Sequence, residues 1–319
     1  MDGYLGIDVG SVSTNVVVID PAGEVLASLY LRTQGQPIKA IKEGLATIAA
    51  QMGSEIKVRG VGTTGSGRTL AGVIAGADIV KNEITAHAVA ASKEVPGVQT
   101  ILEIGGQDSK IIILRDGVVV DFAMNTVCAA GTGSFLDQQA FRLNVPIEEF
   151  GGLALKAKSA VRIAGRCTVF AESDMIHKQQ MGYEPSDIVA GLCEALVRNY
   201  LSNVGKGKEI LPPVVFQGGV AANLGIRAAF AQALGMEITV PPHFNVMGAI
   251  GAAMLAAQEV RKTGRTRFRG FTASEEDFQA SSFECKGCPN LCEVINIKVG
   301  KKVIARWGDR CGKWETLAG

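Results

Sequence analysis

No sign of charge dominates this chain. Its 319 residues carry 32 Lys and Arg against 31 Asp and Glu, and no basic stripe with interleaved aromatics occurs, so the electrostatic footprint of a nucleic-acid binder is missing. No uncharged apolar run reaches the ~18 residues of a membrane span, which removes the membrane as a partner. The opening MDGYLGIDVGS has an acid at position 2 and neither a cationic start nor a long apolar stretch, so no signal peptide is expected. The expected location is the cytoplasm. There the seven cysteines stay reduced, and clustered ones are read as metal ligands or redox groups rather than disulfides.

What is present is material for a large core. Hydrophobic residues make up 47% and charged ones 20%, and the length suits two compact domains with a small appendage. YLGIDVGS and TNVVVIDPAGEVLASLYL alternate apolar and polar residues around turn signals, which predicts a β-meander. A helix over about 37–52, a strand over 56–61 and a helix over 68–80 follow. The pattern restarts in TILEIGGQDSKIIILRDGVVVDFAMN, residues 100–125. One plan used twice predicts two related α/β lobes with a cleft between them, lobe I over 1–95 and lobe II over 96–262, parted near Val95-Pro96-Gly97. Farther on come a long amphipathic helix (187–207), a strand, Gly-Gly turn and helix (PPVVFQGGVAANLGIRAAFAQALG), and a final helix rich in Gly and Ala that predicts close backbone packing. Residues 263–280 read as a polar linker, and 281–319, with four of the seven cysteines, as a separate small β unit.

Several glycine turns compete for a nucleotide. GVGTTGSGRT nearly matches a dinucleotide fingerprint and a phosphate loop, yet Arg68 stands where the latter needs lysine and a meander precedes the loop. It is read as a plain strand-to-helix turn. GIDVGSVST is the better candidate: Asp8 ends a strand and can hold Mg2+ through water, and past Gly10 the residues Ser11, Ser13 and Thr14 offer hydroxyls and N–H groups to phosphate oxygens. EIGGQDSK repeats the arrangement, with Gly105 and Gly106 allowing close approach, Gln107 able to orient an attacking water, and Asp108 beside it. FQGGVAAN adds a turn through Gly218 and Gly219 to Asn223 that suits a purine and ribose, and Gly131-Thr132-Gly133 joins the cofactor-binding set. In this order the turns resemble the actin, hexokinase and heat-shock-chaperone superfamily of two-lobed ATPases, which implies binding of ATP or ADP with Mg2+.

The cysteines add a second chemistry. Cys128 precedes AAGTG and Cys167 precedes TVFAESD, both at helix starts, where free N–H groups and the dipole favour thiolates. Cys193, on the apolar side of its helix, is read as buried. A cubane needs four thiolates. Two copies of the chain, each giving Cys128 and Cys167, supply them at a two-fold axis. MNTVCAAGTGSFLDQQAFRL, CTVFAESDMIHKQQMG, GIDVGSVST and EIGGQDSK together resemble the activators of 2-hydroxyacyl-CoA dehydratases and the related benzoyl-CoA reductase and double-cubane-cluster reductase components, over roughly residues 3–260. That resemblance implies a homodimer sharing one 4Fe-4S cluster through Cys128 and Cys167. It also implies an electron from ferredoxin or flavodoxin, and ATP hydrolysis driving that electron to the iron–sulfur cluster of an anaerobic partner enzyme. Glu103 stands where an aspartate is expected, and Asn125-Thr126-Val127 departs from the charged residues usual there.

The tail departs from short activators. Cys285-x-x-Cys288-x-x-x-Cys292 and Cys311, around the hairpin EVINIKV-GK-KVIARWG, suit a zinc ribbon or a second iron–sulfur cluster. Two other functions stay open: a sugar or amino-sugar kinase, which needs a base facing a hydroxyl but neither Cys128 nor Cys167, and a non-redox ATP-driven scaffold.

Overall fold

A computed structural model describes residues 1–53, 56–125 and 129–316. By packing, the chain forms two compact units, one made of Met1–Ala86 and the segment from Gly248 onward, the other of His87–Met247.

The first unit is built on a five-stranded sheet. Strands β1 (Asp2–Val9), β2 (Ser13–Ile19) and β3 (Val25–Arg32) form the antiparallel meander. Helix α1 (Pro37–Met52) follows, then β4 (Lys57–Thr64), α2 (Arg68–Ala75) and β5 (Ile79–Val80). β4 pairs parallel to β1, and β5 parallel to β4, giving the order β3-β2-β1-β4-β5. Pro37 starts α1, where its missing N–H costs nothing. The helix then buries Ile41, Leu45 and Ile48 at helical spacing against the sheet's Leu5, Ile7, Val16 and Val18. Helix α3 (Glu83–Glu94) carries the chain from this unit into the next.

The second unit repeats the plan. β6 (Thr100–Ile104), β7 (Ser109–Arg115) and β8 (Val118–Met124) are the meander. They are followed by α4 (Gly133–Leu143), α5 (Ile147–Ala154), α6 (Thr168–Gln180) and α7 (Pro185–Asn203). β9 (Val214–Gln217), α8 (Leu224–Leu234) and β10 (Ile238–Thr239) complete it, in the sheet order β10-β9-β6-β7-β8. Strand for strand this matches the first sheet: three antiparallel, then two parallel. Its core centres on α7, whose Leu192, Leu196 and Tyr200 are fully buried.

Helix α9 (Met247–Thr263) returns to the first unit. There its backbone lies directly on the sheet: a methyl at Gly6 would overlap the Ala249 carbonyl, and one at Gly62 the Ala252 carbonyl. The close approach expected from its small residues is present. A three-stranded antiparallel sheet ends the chain, β11 (Phe278–Glu284), β12 (Glu293–Val299) and β13 (Lys302–Trp307).

Four expectations on layout need correction. The units part at Ala86/His87, inside α3, instead of at 95/96. The 68–80 segment is α2 and a short strand, because Gly76 takes a left-handed conformation (φ 71°) that ends the helix. Residues 263–280 are no linker, and the tail is no separate unit. Thr266 Oγ1 and Arg267 N–H both donate to the Asp78 carboxylate, at 2.8 and 2.7 Å. Lys42 Nζ donates to the Glu276 carbonyl at 2.6 Å. Ala273, Phe278, Ile297 and Ala305 belong to the first unit's core. Apolar side chains dispersed among arginines and threonines gave this segment its polar look.

Among the described residues, no helix is long and apolar enough to cross a membrane.

Candidate functional site

The first hairpin places Asp8 at the penultimate position of β1, half-buried, with Ser11 exposed at the tip. Gly10 N–H donates to the Ser13 carbonyl at 2.8 Å and closes the turn. Thr14 is fully buried and its hydroxyl pairs with Thr33 Oγ1 at 2.9 Å, while Thr33 Oγ1 donates to the Gly10 carbonyl at 3.0 Å. Thr14 thus braces the hairpin from within, leaving Ser11 and Ser13 nearer solvent. The loop Gly65–Gly67 after β4 closes over this turn. Gly65 has φ 92°, and a Cβ there would stand 2.6 Å from Asp8 Oδ1; Gly67 N–H donates to the Val9 carbonyl at 2.8 Å. Arg68 Nη1 donates to the Gly65 carbonyl at 3.0 Å, so its charge serves the loop.

The second hairpin repeats these parts with one change. Gly105 N–H donates to the Asp108 carbonyl at 2.9 Å, and Gln107 is exposed at the tip, with Gly105, Gly106 and Asp108 half-buried. Glu103 holds the place of Asp8 and is buried, 5% exposed. Lys110, also buried, reaches Glu103 Oε2 at 3.0 Å and Asp108 Oδ2 at 2.8 Å. The Tyr200 hydroxyl donates to the Lys110 carbonyl at 2.6 Å. As Gly65 lies over Asp8, so Gly218 (φ 90°) lies over Glu103, where a Cβ would stand 2.8 Å from Oε1. A buried ammonium thus lies against the Glu103 carboxylate.

The remaining turns of the second unit buttress this hairpin. Gly133 N–H donates to the Gly105 carbonyl at 2.9 Å, and Ser134 N–H to the Gly106 carbonyl at 2.8 Å. Thr132 is buried and bonds the Ala129 carbonyl at 2.7 Å, and Gly131 packs against Asn199. Gly219 is exposed on the turn after β9. Asn223 caps α8, its side chain accepting from Ile226 N–H at 3.0 Å. His87, at the start of this unit, has Nδ1 2.8 Å from Gln217 Nε2, and burial pushes its pKa down to about 3.

Cys167 is the residue before α6, extended (φ −140°, ψ 131°) and half-buried, with no side chain capping the helix. Val169 and Phe170 beside it are each 66% exposed. Cys193 is buried as expected, and burial pushes its thiol up to about 12. Cys128 lies outside the described residues.

The tail cysteines do not form the expected ribbon centre. Among the described residues no three His, Cys, Asp or Glu side chains come together as a metal-binding group. Cys285 is buried, and its sulfur accepts from Gly287 N–H and from Trp314 Nε1 at 3.3 Å; those donors, then the Lys313 charge, hold its pKa down. Cys311 is exposed and bonds Asp309 Oδ2 at 3.4 Å. Cys288 is exposed and Cys292 half-buried, and the Cys285 N–H donates to the Cys292 carbonyl at 2.8 Å. The sulfurs at 285 and 311 are each engaged by other groups.

Sequence reasoning missed Gly65, Gly218's part in seating Glu103, and Lys110. The only signal for Lys110 was a cation two residues past an acid on a buried strand.

The model of the BadF/BadG/BcrA/BcrD ATPase family matches residues 5–256. The (R)-2-hydroxyglutaryl-CoA dehydratase activating ATPase of Acidaminococcus fermentans is 36% identical over 262 residues, 81% of this chain and 98% of that protein. The activator of lactoyl-CoA dehydratase of Anaerotignum propionicum is 33% identical over 265 residues, 81% of this chain and 98% of that one. Among solved structures, the activator of the 2-hydroxyisocaproyl-CoA dehydratase from Clostridium difficile with bound ADPNP superposes with a TM-score of 0.74 at 32% identity, covering 82% of this chain and 97% of that one. The duplicated α/β plan is therefore the actin-like ATPase fold, and the tail sheet lies past the family match.

Proposed function

The chain belongs to the BadF/BadG/BcrA/BcrD ATPase family, and from that premise we propose that it is an ATP-hydrolysing activator. It passes single low-potential electrons from ferredoxin or flavodoxin to the iron–sulfur cluster of a cytoplasmic partner enzyme of the 2-hydroxyacyl-CoA dehydratase or double-cubane type. Asp8 positions Mg2+ through water, and Ser11, Ser13 and the N–H groups of the first hairpin bind phosphate. Gln107, exposed on a hairpin locked by Lys110, orients the attacking water. Gly105, Gly106, Gly131, Thr132 and Gly133 shape the phosphate turn, and Gly218, Gly219 and Asn223 the adenosine turn.

The observation that carries the electron-transfer reading is Cys167: a half-buried thiol at the start of a thirteen-residue helix, with the exposed Val169 and Phe170 beside it. That residue fits a 4Fe-4S ligand. Cys128 and Cys167 would supply two of the four thiolates, and a second copy of the chain the other two. The cluster, when bound, stores and releases one electron. The tail cysteines stay outside this proposal because their sulfurs do not gather. The kinase alternative is not favoured, since relatives matching most of the chain are named as activators.

Anaerobic purification tests this. We expect about four irons and four acid-labile sulfides per dimer, lost in Cys167→Ala while ATP hydrolysis without a partner persists. Full iron content in Cys167→Ala would refute the assignment.

A further inference from the structure

The segment leading into Cys167 also forms one wall of a cavity of about 830 Å3 in the second unit. Its walls are the loop Arg162–Arg166, the flank of α6 at Asp174–Lys178 and the flank of α7 at Arg198–Asn203. No residue of the phosphate or adenosine turns lines it. The volume falls within the ~300–1,000 Å3 typical of small-molecule sites.

Its charge is one-sided. Arg162, Arg166, Lys178 and Arg198 line it against one carboxylate, Asp174, in a chain whose net charge is only +1. Asp174 accepts from the Ala164 N–H at 2.8 Å and so fixes the loop. Arg198 donates to the Ile163 carbonyl at 2.6 Å and pairs with Glu194 at 3.3 Å, from outside the lining.

The walls are also held in place. A Cβ on Gly165 would come 2.9 Å from the Ala195 carbonyl, so the loop rests directly on α7. Buried Asn199 donates to the Gly165 carbonyl and accepts from Asn203 at 3.1 Å. Guanidinium forks with an ammonium along one wall match phosphate oxygens.

We propose that this cavity is a second anion site, separate from the nucleotide turns, which takes a small molecule bearing phosphate groups. Its volume, within the range of small-molecule sites, favours a compact ligand over an acidic protein segment. The binding assignment does not depend on the iron–sulfur reading.

The test is isothermal titration of the full-length protein, saturated with Mg-ADP, using inorganic pyrophosphate as probe. We expect saturable binding of one pyrophosphate per chain. Affinity should fall at least about tenfold in the double variant Arg162→Gln/Lys178→Gln, as expected for losing charge-assisted hydrogen bonds. It should be unchanged in Asp8→Asn. Retained Mg-ADP binding and an unaltered circular dichroism spectrum show the double variant to be folded. Arg162→Gln alone is the milder second variant, with a smaller loss in the same direction.

Binding that is lost in Asp8→Asn and kept in the double variant would place the probe at the nucleotide turns and overturn the proposal. So would an absence of saturable binding. Capture of an octaglutamate peptide but not pyrophosphate, abolished in the double variant, would replace the small ligand with an acidic protein segment and overturn it as stated.

Discussion

Replacing Lys110 by methionine isolates the most heavily buried charge in the second hairpin. The Lys110 and Glu103 side chains are only 2% and 6% exposed, whereas the Asp108 side chain is 42% exposed. The Asp108 contact is therefore screened, and losing it costs less than about 1 kcal/mol. Glu103 is different: Lys110→Met leaves a buried carboxylate without the ammonium 3.0 Å away, and breaking a buried pair from one side costs about 3–5 kcal/mol. For a unit of this size each kcal/mol moves the melting temperature by about 2–4 °C, so the loss should be roughly 6–20 °C. The double variant Lys110→Met/Glu103→Gln removes both charges and should recover most of it, because neutralising the second partner abolishes the buried charge. Urea and thermal denaturation followed by circular dichroism measure both. A Lys110→Met protein within about 0.5 kcal/mol of wild type, or a double variant as unstable as the single, would refute this account of the hairpin.

Three further outcomes follow from the same geometry. Gly6→Ala places a methyl on the Ala249 carbonyl and should destabilise the first unit by about 1–3 kcal/mol or more; an unchanged urea midpoint would mean α9 does not lie on β1 as described. Gln107→Ala should lower ATP turnover about 100-fold through misplacement of water with nucleotide affinity nearly unchanged; equal turnover would remove Gln107 from the reaction. His87 stays neutral in the folded protein to about pH 3, whereas the unfolded chain takes up the proton near 6.5. Stability therefore falls as pH drops through that window, by up to about 1.4 kcal/mol per pH unit. His87→Asn should flatten this slope in urea titrations between pH 4 and 7, and identical slopes would contradict it.

Much of the fold could be read in the chain because local signals agreed. Alternating apolar residues ended at Asp8-Val9-Gly10 and again at Gly105-Gly106, and the two sheets share one order. The small residues of α9 foretold its backbone contact with Gly6 and Gly62. Where long-range packing decides, the chain was opaque. Nothing local shows that Gly65 lies against Asp8, since short glycine turns have many uses. The equivalence of Glu103 with Asp8 also hides that Lys110 neutralises one of them. The tail read as a separate metal unit because four cysteines outweighed Phe268, Phe271 and Phe278, yet Phe278 is buried in the first unit's core and Phe268 and Phe271 pack against it. Asn223, read as part of the adenosine turn, also caps α8 through its side-chain oxygen, which no local signal announced.

The central claim is that ATP hydrolysis drives electron delivery. Chemically reduced protein, mixed anaerobically with an oxidised 2-hydroxyacyl-CoA dehydratase, should transfer its electron when Mg-ATP is added and fail to turn over with Mg-ADPNP. Optical and paramagnetic-resonance spectra follow the oxidation of one protein and the reduction of the other. Transfer at the same rate without nucleotide, or with ADPNP in place of ATP, would contradict it.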